Sequence, residues 1–130
     1  MVEARGGEGV KLKVLEPLFS VCRVDSAAEV DLSAEFCFVG KTDEELSLVC
    51  PQNRVPEHAL AREDGWRAFR VEGVLDFSLT GILARLSSAL AEAGIGLFAV
   101  STYNTDYILV KREDLPRALE ALRGAGCEVV

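Results

Sequence analysis

From Trp66 to Val130 the apolar period switches from two residues to about 3.6 and back, twice over, and this restricts the fold more than any other feature. Trp66-Arg-Ala-Phe-Arg-Val-Glu72 alternates apolar and polar residues, which predicts a strand over about Arg67–Glu72. Ile82, Leu83, Leu86, Ala89, Leu90 and Ala93 then line one face at helical spacing. Ser78 or Thr80 is placed to cap this helix through a side-chain oxygen, and Gly94 to end it in a left-handed turn. Ile95–Thr102 reads as a second strand, Tyr103–Asp106 as a turn and Tyr107–Lys111 as the returning strand. Leu115, Ala118, Leu119 and Leu122 define a second helix from about Glu113 to Arg123, with acidic residues at its start and Arg123 at its end, as the helix dipole favours. Gly124 and Gly126 terminate it, and Cys127–Val130 is a last short strand. The order β-α-β-β-α-β is a split βαβ pattern.

The first half is less regular. Val10–Leu15 alternates as a strand, and Leu18–Val24 reads as another after the break at Pro17. Phe36–Val39 and Leu46–Val49 form a hairpin across Gly40–Glu45, and residues 25–35 have room for a short helical turn. A weak echo joins the halves: Phe38–Val49 aligns with Ala99–Val110, and Val55-Pro56 echoes Leu115-Pro116 with a one-residue slip. Self-similarity of this kind predicts a degenerate tandem repeat. The expected organisation is a disordered leader (1–9), a reduced N-terminal unit (10–62) and a complete C-terminal unit (63–130). The polar stretch Pro56–Gly65, which holds the only histidine, His58, marks the boundary.

The net charge of −7 over 130 residues disfavours nucleic acid and anionic membranes as partners. No apolar run is long enough to span a bilayer, and Met1–Gly9 has no apolar core of a secretory signal. Cys22, Cys37, Cys50 and Cys127 are widely spaced, without a C-x-x-C pair or a histidine cluster, so they read as reduced, buried thiols. Together these features point to the cytoplasm. No metal or cofactor is implied. G-x-S-x-G, Walker A, H-E-x-x-H and G-x-G-x-x-G are all absent, and one remote histidine is a thin basis for a catalytic cysteine, so the chain does not read as an enzyme.

Ser78-Leu-Thr-Gly-Ile-Leu-Ala-Arg-Leu-Ser-Ser-Ala-Leu-Ala-Glu-Ala-Gly-Ile-Gly-Leu-Phe-Ala-Val-Ser-Thr102 resembles an ACT domain. Gly81 matches the family glycine before the apolar helix, and Ala93-Gly94-Ile95 matches the start of the next strand. Ser78 stands where the family pattern has an acidic residue; Asp76, two residues earlier, either substitutes for it or is a solvated loop carboxylate. The resemblance covers roughly residues 67–130. The Leu79–Leu83 helix start and the Val100–Val110 hairpin are also similar to the tandem-ACT subgroup that includes the CASTOR-type arginine sensors. That likeness implies an α+β, ferredoxin-like fold with an antiparallel sheet, helices on one face and two ACT-like units in tandem. It also implies amino-acid binding between ACT units.

The residues allow such binding. Backbone N–H groups at a helix N-terminus suit a carboxylate, and Asp76, Phe77, Ser78, Leu79, Thr80, Gly81 and Ile82 lead into one. Gly81 lets a ligand or another backbone come close, or serves only helix–sheet packing. Asp106 can accept from an ammonium group, and Ser101, Thr102 and Asn104 add donors and acceptors beside it, although Asn104-Thr105-Asp106 is also an ordinary turn sequence. The expected function is regulation or sensing by a homodimer that binds a small amino-acid ligand. The alternative is a ligand-free interaction module that pairs through a strand edge.

Overall fold

The computed structural model describes residues 9–72 and 81–130. In chain order the strands are β1 (Lys11–Val14), β2 (Phe19–Val24), β3 (Phe38–Lys41), β4 (Leu46–Pro51), β5 (Ala61–Val71), β6 (Leu97–Ser101), β7 (Asp106–Lys111) and β8 (Glu128–Val129). The helices are α1 (Ile82–Glu92) and α2 (Leu115–Gly124). Contacts divide the chain into two compact units, Met1–Glu16 with Arg67–Val130, and Pro17–Trp66, so the division falls within β5.

In the larger unit the strand order is β6–β7–β5–β1–β8. Each helix buries one stripe against this sheet. Ile82, Leu86 and Leu90 of α1 and Ala118 and Leu122 of α2 pack with Leu12, Phe69, Val71, Ile108 and Val110. Each large apolar side chain so buried contributes about 1.5–3 kcal/mol relative to exposure. Gly94 (φ 74°) follows α1 and Gly126 (φ 97°) follows α2, both left-handed as a helix end requires. Pro116 sits in the first turn of α2, where its missing N–H costs nothing. Arg117 donates to the Ala93 carbonyl just beyond α1 and pairs with Asp114 at 3.2 Å, so one side chain ties the two helices together.

Two expectations change here. β1 was expected in the N-terminal unit (10–62), but it lies antiparallel to β5, with Leu12 opposite Val71 and Val14 opposite Phe69. β8 runs parallel to it, with Leu12 opposite Val129. Because β1 occupies the place beside β5, β8 pairs outside it, and the sheet is mixed instead of antiparallel. Ala61–Gly65, expected to lie within the polar boundary Pro56–Gly65, is the first part of a long strand.

In Pro17–Trp66 the strand order is β3–β4–β2–β5, all pairs antiparallel. Among its described residues this unit has no α-helix. A 3₁₀ turn at Ala27–Glu29 carries a capping box from Ser26 and Glu29, and another follows β4 at Gln52–Arg54. Cys22, Val24 and Leu48 form a small core with Val30, Cys37, Leu46, Val55 and Ala59 around it. The polar first half of β5 is held by side chains as well as by its ladder. The buried Ser20 hydroxyl donates to Asp64 at 2.6 Å, and Arg62 pairs with the same carboxylate at 3.0 Å.

The second strands of the two hairpins recur at a spacing of 60 residues: β4 and β7 begin at 46 and 106 and end at 51 and 111, and the 3₁₀ turns after them begin at 52 and 112. The echo aligned from sequence ran at 61 and then slipped by one, so the spacing of the strands removes the slip.

Candidate functional site

α1 has 11 residues and β6 has five, each about 16–17 Å long, and the short turn Ala93–Gly96 joins them. A helix and strand of equal length joined this way place Gly81 and Ser101 at the same end of the unit. Val71 at the end of β5 is brought there too, because the Thr105 hydroxyl donates to its carbonyl at 2.6 Å.

The β6–β7 hairpin closes at this end. Ser101 lies opposite Asp106, and its hydroxyl donates to the Asp106 carboxylate at 2.7 Å. The Thr102 N–H donates to the Thr105 carbonyl at 2.9 Å, and the two Thr102–Thr105 side chain–backbone bonds tighten the same turn. Asn104 and the fully exposed Tyr103 form its tip. Asp106 is half-buried, so its carboxylate keeps access to solvent while one oxygen is already oriented.

Gly81 is the N-cap of α1 with φ 85°, the left-handed region, and contributes no side-chain cap. A Cβ built there meets nothing within 4 Å among the described residues. The glycine is therefore set by backbone conformation and not by close helix–sheet packing. Ser78 and Thr80, expected to cap this helix, lie outside the described residues. Ile82 is a core residue, 5% exposed, so only its backbone remains available to a ligand. Asp76, Phe77, Ser78, Leu79 and Thr80 lie outside the described residues. Thus the structure places Gly81, Ser101, Thr102, Asn104 and Asp106 at one end of the unit and assigns the Ile82 side chain to the core. Thr105, not singled out from sequence, anchors the turn. Its only signal was a β-branched residue within a turn of otherwise typical composition.

The corresponding hairpin end of Pro17–Trp66 differs. Thr42 repeats Thr102: its N–H donates to the Glu45 carbonyl at 2.9 Å, and its hydroxyl accepts from the N–H groups of Glu44 and Glu45. But the nearby 3₁₀ turn is satisfied from within, since Glu29 accepts from the N–H groups of Asp25 and Ser26, and Ser26 from that of Ala28. A concavity here is lined by Arg23 and Lys41 but also by Asp25, Asp43, Glu44 and Glu45, a balance that disfavours a ligand carboxylate. Another lies among exposed residues of α1 and Ala125, Arg85 and Glu92 included.

Among the described residues no group of three or more His, Cys, Asp or Glu is arranged to hold a metal. The four cysteines are free thiols, three of them buried, and burial pushes all four up, Cys50 to about 12. A thiol so placed is a poor nucleophile at neutral pH. His58 is exposed. Among the described residues no helix is long and apolar enough to cross a membrane.

Residues 61–124, just under half of the chain, match the ACT-domain family model, so the chain carries an ACT domain over that stretch. Of solved structures, protein Atu0741 from Agobacterium tumefaciens is similar over 93% of this chain and 92% of its own, at 33% identity and a TM-score of 0.82. The regulatory subunit of aspartate kinase from Thermus thermophilus, in its ligand-free form, shares the fold over 92% of this chain and 98% of its own, with a TM-score of 0.64 at 12% identity. Among curated proteins, the human cytosolic arginine sensor for mTORC1 subunit 1 is 36% identical over 59 residues. That match takes in 45% of this chain and 18% of the sensor, so the chain spans less than a fifth of this relative.

Proposed function

We propose that the protein is a small regulatory or sensor protein, not an enzyme, that binds an amino acid at the hairpin end of its ACT unit, where a second chain supplies the facing ACT unit of a homodimer. The observation that carries this is the oriented Asp106 carboxylate, at the same end of the unit as the left-handed Gly81 start of α1. An amino acid presents an ammonium group to the first and a carboxylate to N–H groups at the second. In this reading Asp76, Phe77, Ser78, Leu79 and Thr80 complete the helix approach, and Ser101, Thr102 and Asn104 the polar rim. The ACT domain over residues 61–124, and the arginine-sensor relative, support an amino acid as the ligand class. Pro17–Trp66 is read as a reduced ACT-like unit, since its strand order and its hairpin spacing match a βαββαβ unit whose helices have shrunk to 3₁₀ turns. The net charge and the free thiols support a cytoplasmic protein without nucleic-acid or membrane partners.

The test is a thermal-shift screen against the twenty amino acids at millimolar concentration. A ligand at about 100 times its dissociation constant adds roughly 2.7 kcal/mol, which raises the midpoint by several degrees in a chain of this size. A shift for one amino acid or a related pair supports sensing, and no shift for any removes it.

A second reading is a ligand-free pairing module. It is favoured by β6, which pairs only with β7 among the described residues and presents Leu97-Phe98-Ala99-Val100 without a charge or a proline. It predicts a dimer whose midpoint is indifferent to every amino acid.

A further inference from the structure

We infer that Thr105 is a positioning residue for the ligand site: its hydroxyl latches the β6–β7 turn to the end of β5 and so fixes the direction in which Asp106 presents its carboxylate. This rests on the proposed amino-acid site.

Thr105 is the buried residue of an otherwise exposed turn, 9% exposed between Asn104 and the half-buried Asp106. All of its polar groups are engaged. Its hydroxyl donates to the Val71 carbonyl at 2.6 Å, its carbonyl accepts from the Thr102 N–H at 2.9 Å, and its N–H donates to the Thr102 hydroxyl at 3.4 Å. The first of these bonds joins residues 34 apart in sequence. A hairpin tip otherwise moves freely about its last strand pair, here Ser101 opposite Asp106. With the latch closed, the tip and the end of β5 move as one piece, and the residue after the latch is Asp106.

A comparison within the molecule separates this from ordinary hairpin chemistry. The turn 42–45 lies 60 residues earlier and carries the same Thr42-to-Glu45 backbone bond as Thr102 to Thr105. At the position of Thr105 it has Glu45, which is exposed and turns its carboxylate back to the Ser47 hydroxyl on its own strand. The hairpin closes without a latch there. The latch is thus not needed to form the turn, and it is present in the unit that carries the Gly81 helix start.

The experiment compares the full-length protein with Thr105→Val and Thr105→Ser. Valine keeps the shape and removes the donor, whereas serine keeps the donor. The amino acid giving the largest thermal shift with wild type is titrated into each by calorimetry, and the ligand-free midpoints are recorded. The inference expects Thr105→Val to bind at least about tenfold more weakly and Thr105→Ser to bind within about threefold of wild type. Thr105→Val is titrated well below its own melting midpoint, so a lower midpoint does not mimic lost affinity. Equal affinity in wild type and Thr105→Val overturns the latch while leaving the amino-acid site standing. An equal loss in Thr105→Ser also overturns it, because the hydroxyl is then not what matters. If no amino acid shifts wild type, both the site and the latch fall.

Discussion

Leu12 lies directly opposite Val71 across the β1–β5 pair, although the two are 59 positions apart (12 to 71), and both side chains are buried. The ACT match begins at residue 61 and so leaves β1 out. A fragment of residues 61–130 therefore lacks the strand between β5 and β8, and leaves Val71 and Phe69 without Leu12 and Val14 opposite them. Such a fragment is expected to unfold without cooperativity in urea, followed by circular dichroism. In the full chain, Leu12→Ala should cost about 2–5 kcal/mol as a large-to-small change in a packed core. A fragment that unfolds cooperatively with a midpoint near that of the whole protein would show that β1 is dispensable.

Most of the larger unit was legible because its signals are local. The α1 stripe at Ile82, Leu86 and Leu90, Gly94 after it and the β6–β7 hairpin each declare themselves within a dozen residues. What could not be read is long-range. Nothing in Val10–Leu15 says that its partner is β5 and not β2, because any alternating strand fits any sheet edge. Ala61–Trp66 was missed because its side chains are mostly polar and exposed, and its strand is held by the β2 ladder and by Ser20 and Arg62 gripping Asp64. At the site, Gly81 stood out in sequence, but whether it served packing or backbone conformation required its φ.

That φ gives a prediction. Among the described residues no atom lies within 4 Å of the place a methyl group would take at Gly81, so Gly81→Ala meets no clash with them and bears the strain of a left-handed residue with a side chain. The expected loss is about 1–2 kcal/mol, read from urea midpoints, and Gly81→Asn should lose less because asparagine tolerates that conformation. A loss well above this range would mean that the position is packed after all.

The thiols give a pH dependence. Burial raises Cys50 from 9.0 to about 12, and the nearby Cys22 and Cys37 add to it. In the unfolded chain the thiol deprotonates near its ordinary value, whereas the native state holds the proton. This contribution to stability is thus complete below pH 9 and is lost as pH rises from there toward 12. The urea midpoint should fall between about pH 8 and about pH 10.5. Cys50→Ala should show a smaller fall over that interval, even though its midpoint is lower throughout. An identical fall in wild type and variant would assign the alkaline loss to other groups.

The central claim is that Asp106 takes the ammonium group of a bound amino acid. Its most direct test is calorimetric titration of wild type and Asp106→Ala with the amino acid that gives the largest thermal shift. Asp106 is part-exposed and accepts from the Ser101 hydroxyl on the neighbouring strand, so the substitution should leave the fold intact. The account predicts binding weakened by about 1.5–3 kcal/mol, the value of a hydrogen bond to a charged group, or roughly 10- to 150-fold in dissociation constant. An unchanged dissociation constant in Asp106→Ala would contradict it.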